Sequence, residues 1–136
     1  MKNLPLEHYE QWPFARKAVI FLQAAKSSNE ITNQTVGSWE VSYYLLSHCL
    51  ELTIKAVAHY KTSQMPTRIH DNVELADKYQ KECNFSKGEL NTIHQLRELN
   101  NGPGGLRYDN EPLGQFLPST FNDGVKIVER LLENFE

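Results

Sequence analysis

The sequence predicts an all-α fold, an up-and-down helical bundle of about five helices that forms one domain over residues 1–136. Three observations carry that expectation. Apolar residues recur at three- and four-residue steps in segment after segment. Prolines and capping signals mark where those segments start and stop. No β-branched alternating run occurs anywhere, so there is no candidate strand. A length of 136 residues suffices for one hydrophobic core and is too short for two.

The first helix is placed from Pro13 to about Lys26. Proline suits a first helical turn, and Phe14, Ala18, Phe21, Leu22 and Ala25 then line one face. Ser27-Ser28-Asn29 is expected to end it, and the residues before Pro13 are read as a short turn or helical piece. The second helix starts between Thr32 and Ser38, with Gly37 blurring the boundary, and runs to about Lys61. Trp39, Tyr43, Leu46, Leu50, Thr53, Val57 and Tyr60 form its apolar stripe, which Leu45, Cys49, Leu52 and Ala56 widen on one side and Ile54 on the other. Such a helix needs several neighbours to cover it. At about 100° per residue, what remains is a narrow polar wedge of Glu40, Tyr44, Ser47, His48, Glu51, Lys55 and His59.

Met65 to His70 forms a connection, because Pro66 stops the second helix and Asp71-Asn72-Val73-Glu74 opens the next like a capping box. The third helix runs from Asn72 to about Glu82. Ser86-Lys87-Gly88-Glu89 fits the S/T-x-x-E capping box, and Leu90, Ile93, Leu96 and Leu99 give the fourth helix its buried stripe to near Asn100. A long loop follows, opened by Asn101-Gly102-Pro103-Gly104-Gly105 and continued through Pro112 and Gly114 to Pro118. The last helix begins about Ser119 and carries Phe121, Val125, Val128, Leu132 and Phe135 on one stripe.

Composition excludes several classes. Lys and Arg number 14 against 17 Asp and Glu, a net charge of -3 that argues against nonspecific duplex DNA binding and against a polybasic coat. Cys49 and Cys83 lack CxxC spacing, so neither a disulfide framework nor a zinc knuckle is expected, and a reducing, cytoplasmic setting is. Met1 to His8 lacks the apolar core of a signal peptide, and no run approaches about 18 apolar residues, so no membrane association is expected.

Three chemical readings fail on spacing. His48, Glu51 and His59 invite a metal, but the histidines stand three turns apart and no second helix offers Glu-x-x-His, so no metal or other cofactor is expected. Glu51 and Lys55, at i,i+4 in the favourable order, read as a surface ion pair worth about 0.2–0.5 kcal/mol. The glycine cluster at 102–105 lacks the phosphate-loop pattern and reads as a hinge. Cys49 falls on the apolar side of its helix, where a thiol is inert packing, and no catalytic triad can be assembled. What remains is Arg68, His70, Arg107 and Tyr108, all in connections. Converging near the Lys55 end of the wedge, they would make a small cationic pocket with an aromatic wall, suited to a phosphate and a nucleotide base. The competing reading has His70 and Asp71 capping the third helix and Arg107 pairing with Asp109 or Glu111.

Three segments together resemble the HEPN family, small helical bundles named for higher-eukaryote and prokaryote nucleotide binding. His48 to Val57 is similar to the central-helix signature, with a Glu and a Lys one turn apart in an apolar run. His70-Asp71-Asn72-Val73-Glu74-Leu75 resembles the family's "HDL..L" helix opening, and Leu106-Arg107-Tyr108 the "RY" that follows the fourth helix. The resemblance implies a bundle that commonly forms homodimers, whose members are ribonucleases of toxin–antitoxin and defence systems or partners of small nucleotidyltransferases. Catalytic members carry an Arg followed four to six residues later by His, a pair this sequence lacks: Arg97 has Gly102 where the His could fall. The expectation is a non-catalytic or degenerate module that binds a nucleotide, RNA or a protein partner such as an antitoxin or nucleotidyltransferase. The alternatives are a metal-independent ribonuclease built on His70 and Arg107, and a purely structural dimerisation module.

Overall fold

The computed structural model describes residues 1–32, 39–101 and 118–136. A 3-10 turn, Leu6–Tyr9, leads into α1, Pro13–Thr32, and then α2, Trp39–Thr62. After a connection come α3, Asn72–Lys78, the short α4, Gln80–Cys83, and α5, Lys87–Asn101. α6, Pro118–Leu132, and a 3-10 turn, Glu133–Phe135, complete the order. The described residues contain no strand, so the molecule is an all-α bundle.

The described residues hold six α-helices rather than five because the expected third helix breaks. Tyr79, with φ −108° and ψ 26°, leaves the helical region and separates α3 from α4. α4 then closes on Asn84 at φ 51°, a left-handed conformation that asparagine tolerates. α1 runs past its expected stop at Ser27-Ser28-Asn29. Serine disfavours a helix only mildly, and Ser28 is engaged by the neighbouring helix, where Ser42 Oγ donates to Ser28 Oγ at 3.0 Å. α2 ends ahead of Pro66, with Ser63 in the left-handed region at φ 58° and its N–H on the His59 carbonyl. Both capping signals are formed: Asp71 caps α3, and Ser86 and Glu89 exchange hydrogen bonds at the start of α5.

α2 is the axis of the bundle and packs against each of the other five α-helices in some measure, most extensively against α1. Leu46, Leu50, Ile54 and Val57 of α2 are enclosed by Ala18 and Leu22 of α1, Ile93 and Leu96 of α5, and Val128 and Leu131 of α6. Gly124 permits the close approach of α6. A Cβ there would lie 2.8 Å from Leu46 Cδ2 and 3.0 Å from Leu96 Cδ1. No helix among the described residues is long and apolar enough to cross a membrane.

Three positions on α2 depart from the periodic pattern. Tyr60, expected in the apolar stripe, is half exposed, although its ring packs 6.2 Å from Trp12 and 5.3 Å from Phe135. Ser47 and Lys55, expected on the solvated wedge, are buried. Helical periodicity sets the angle of a side chain but not what covers it. The Trp39 side chain, Gly37 and the proposed 102–117 loop with its hinge lie outside the described residues.

Candidate functional site

The polar side of α2 meets the connection that follows it. Thr67 N–H donates to the Tyr79 hydroxyl at 3.0 Å, which ties this connection to the break between α3 and α4. Ile69 packs on the core. Its neighbours Arg68 and His70 are both exposed. At the end of the connection, Asp71 Oδ1 accepts the Val73 N–H at 2.8 Å and the Glu74 N–H at 3.2 Å.

Glu51 is the hub of the site. Its Oε2 accepts from Lys55 Nζ at 2.9 Å and from His70 Nδ1 at 2.9 Å, while His48 Nδ1 lies 3.9 Å from Oε1. The side chain of Lys55 is 7% exposed and that of Glu51 12%, whereas that of His70 is 73% exposed. The Glu51–Lys55 pair anticipated from spacing is therefore present but is not a surface pair. Removing either partner would leave the other charge in the interior. A carboxylate can only accept hydrogen bonds, so the contact puts the proton of the neutral His70 ring on Nδ1 and leaves Nε2 as a bare acceptor.

A second ion pair borders the first. Arg97 Nε donates to Asp71 Oδ2 at 2.9 Å, and its Nη1 reaches Glu98 Oε1 at 3.1 Å. Burial works to raise the Asp71 carboxyl, but the hydrogen bonds from Arg97 and from the Glu74 and Val73 amides outweigh it and hold the group below its usual range. Arg97 entered the sequence reading only as the start of an incomplete motif. Its partner stands 26 residues away, a separation that no local spacing rule covers. Between α2 and α3, Asn72 Nδ2 donates to the Ser47 carbonyl at 2.9 Å, while Asn72 Oδ1 and Ser47 Oγ are buried without a partner among the described residues. Ser47 belongs to the polar wedge that the sequence predicts, whereas Asn72 is marked in the sequence only as part of the opening of the third helix.

Of the expected site residues, the structure joins Lys55 and His70 through Glu51 and places Arg68 two residues from His70 on the same exposed stretch. Arg107 and Tyr108 lie outside the described residues. Among the described residues, no three His, Cys, Asp or Glu side chains gather as a metal site would need, and at Glu51 the Lys55 ammonium occupies the carboxylate. Cys49 is fully buried, donates to the Ala18 carbonyl at 3.2 Å, and has its thiol pushed up to about 12 by burial; burial does the same to Cys83. Neither is a nucleophile at neutral pH. No family model matches the chain, and no curated protein or solved structure matches it either, so its reading rests on its own residues and geometry.

Proposed function

We propose that the chain is a HEPN-like module that binds a phosphate-bearing ligand, a nucleotide or RNA, at a surface formed by Arg68, His70, Arg107 and Tyr108 over Lys55. The observation that supports this is a contrast among the three cations around the 65–71 connection. Lys55 is neutralised by Glu51 and Arg97 by Asp71 and Glu98, whereas Arg68 is exposed and makes no ion pair among the described residues. An unpaired guanidinium is free to take phosphate through two parallel hydrogen bonds. Lys55 serves one step behind, holding the carboxylate that holds His70. Self-association into a two-fold dimer, an antitoxin or nucleotidyltransferase partner and a cytoplasmic setting belong to the same reading, on the strength of the three sequence motifs.

Fluorescence titration with a labelled single-stranded RNA tests it. Arg68→Ala and Arg107→Ala should each weaken binding about tenfold, as loss of a charge-assisted hydrogen bond implies. Lys81→Ala, on an exposed position of α4, should not, and affinity should fall with added salt. Equal binding by all three variants would refute the proposal. A second reading, a metal-independent ribonuclease using His70 and Arg107, is favoured by the Glu51–His70 hydrogen bond, because an oriented imidazole with an open Nε2 suits a general base. RNA cleavage that disappears in a folded His70→Ala variant would put that reading first.

A further inference from the structure

Resting on the phosphate-binding reading, we infer that His70, fixed by Glu51 and Lys55 as an acceptor at Nε2, is the residue that selects ribonucleotides over deoxyribonucleotides. The argument starts from the buried end of the chain of contacts. Lys55 is enclosed, and its ammonium donates to Glu51 Oε2, which holds that carboxylate in place. The same oxygen receives Nδ1–H of His70. A neutral imidazole has one proton, so the atom facing solvent carries a lone pair and no hydrogen.

This decides what His70 can recognise. A phosphate oxygen at neutral pH offers only lone pairs and has nothing to give to Nε2. A sugar hydroxyl has a proton to give. Arg68 and His70 are separated by the single residue Ile69, which packs on the core, so their Cα atoms lie at most about 7 Å apart. At that spacing a phosphate on Arg68 and the sugar bonded to it are both within reach. The 2′-hydroxyl is the donor that ribose has and deoxyribose lacks. Without Glu51 the ring is released to carry its proton on Nε2, where it can donate to the phosphate oxygens that both kinds of strand present, and the 2′-hydroxyl is no longer singled out as the donor the site needs. Lys55 and Glu51 are accordingly positioning residues, and His70 is the group that reads the ligand.

The experiment compares matched ribo- and deoxyribo-oligonucleotides of one sequence, with long-range ¹H–¹⁵N correlation spectra of His70 as an independent readout of its tautomer. Wild-type protein should prefer the ribo strand about threefold to tenfold, the value of one net hydrogen bond. Its neutral His70 ring should be protonated on Nδ1. Glu51→Gln, whose amide can turn its NH₂ toward Nδ1, should bring the ratio toward unity and move the proton to Nε2. The paired Glu51→Leu/Lys55→Met variant removes both buried charges while keeping the volume filled, and should give the same collapse even if the single variant folds poorly. Lys81→Ala should keep the wild-type ratio. Equal wild-type binding of both strands, or a wild-type ring protonated on Nε2, would overturn this inference alone. Failure of the wild type to bind either strand would overturn the phosphate reading and this inference with it.

Discussion

Two carboxylates in this bundle, Glu51 and Glu89, are each gripped by a cation, and the two grips end differently. Glu89 sits in the first turn of α5, where its Oε1 accepts the Ser86 N–H at 2.9 Å and its own N–H donates to Ser86 Oγ at 3.1 Å. Arg130 of α6 closes on both its oxygens, at 2.7 and 3.0 Å, and also donates to the Cys83 carbonyl at 3.1 Å. That network ends on backbone and stitches α4, α5 and α6 together. The Glu51 network begins on a buried ammonium and ends on an imidazole open to solvent. A polar network that closes on the main chain serves the fold. One that leaves its last atom facing water has something left to offer a ligand.

Removing each carboxylate tests the contrast most severely. Glu51→Ala strands the Lys55 ammonium in the interior and should cost about 3–5 kcal/mol in urea unfolding, most of it recovered when Lys55→Met is added. Glu89→Ala should cost less, about 1.5–3 kcal/mol, because the Arg130 side chain is 39% exposed and can turn to water. An equal cost at both sites would erase the distinction between them.

The smallest effect belongs to Asp71. Asp71→Ala should cost about 1 kcal/mol, the usual loss for a helix cap, and Asp71→Asn less, since asparagine still caps. Both Asp71 and Glu89 are held below their ordinary values of 3.8 and 4.5, against the pull of burial, by hydrogen bonds from Arg97 and Arg130 and from backbone amides. A carboxylate lowered in the folded state contributes stability that is complete above its unfolded value and is lost as pH falls through the folded one. Stability should therefore decline from about pH 5 toward pH 2, and the decline should be shallower in Glu89→Gln, as urea melts across that range would record.

Much of this was legible in the sequence. The breadth of the apolar arc from Tyr43 to Val57 announced a central helix, and Ser86 with Glu89 announced where α5 begins. The Glu51–Lys55 spacing gave the pair but not its burial, because a helical wheel has no information about a connection that returns over it through His70. The break at Tyr79 has no glycine or proline to mark it, and the Asp71–Arg97 pair is a product of how α3 meets α5. Arg68 and His70 could be picked out because they are charged or titratable residues between helices. Their common exposure depends on Ile69 being the residue the core takes.

The hydroxyl of Tyr79 that receives the Thr67 N–H also has a consequence for motion. An amide in an open connection ordinarily exchanges its hydrogen with water almost freely, whereas one bonded to a buried phenol exchanges only when that contact opens. Thr67 is thereby tied to the break between α3 and α4, and its amide should exchange more slowly than one in an untethered loop. The stretch that carries Arg68 and His70 is thus anchored on both sides, by Thr67 to Tyr79 and by His70 to Glu51, which leaves less for an arriving ligand to order.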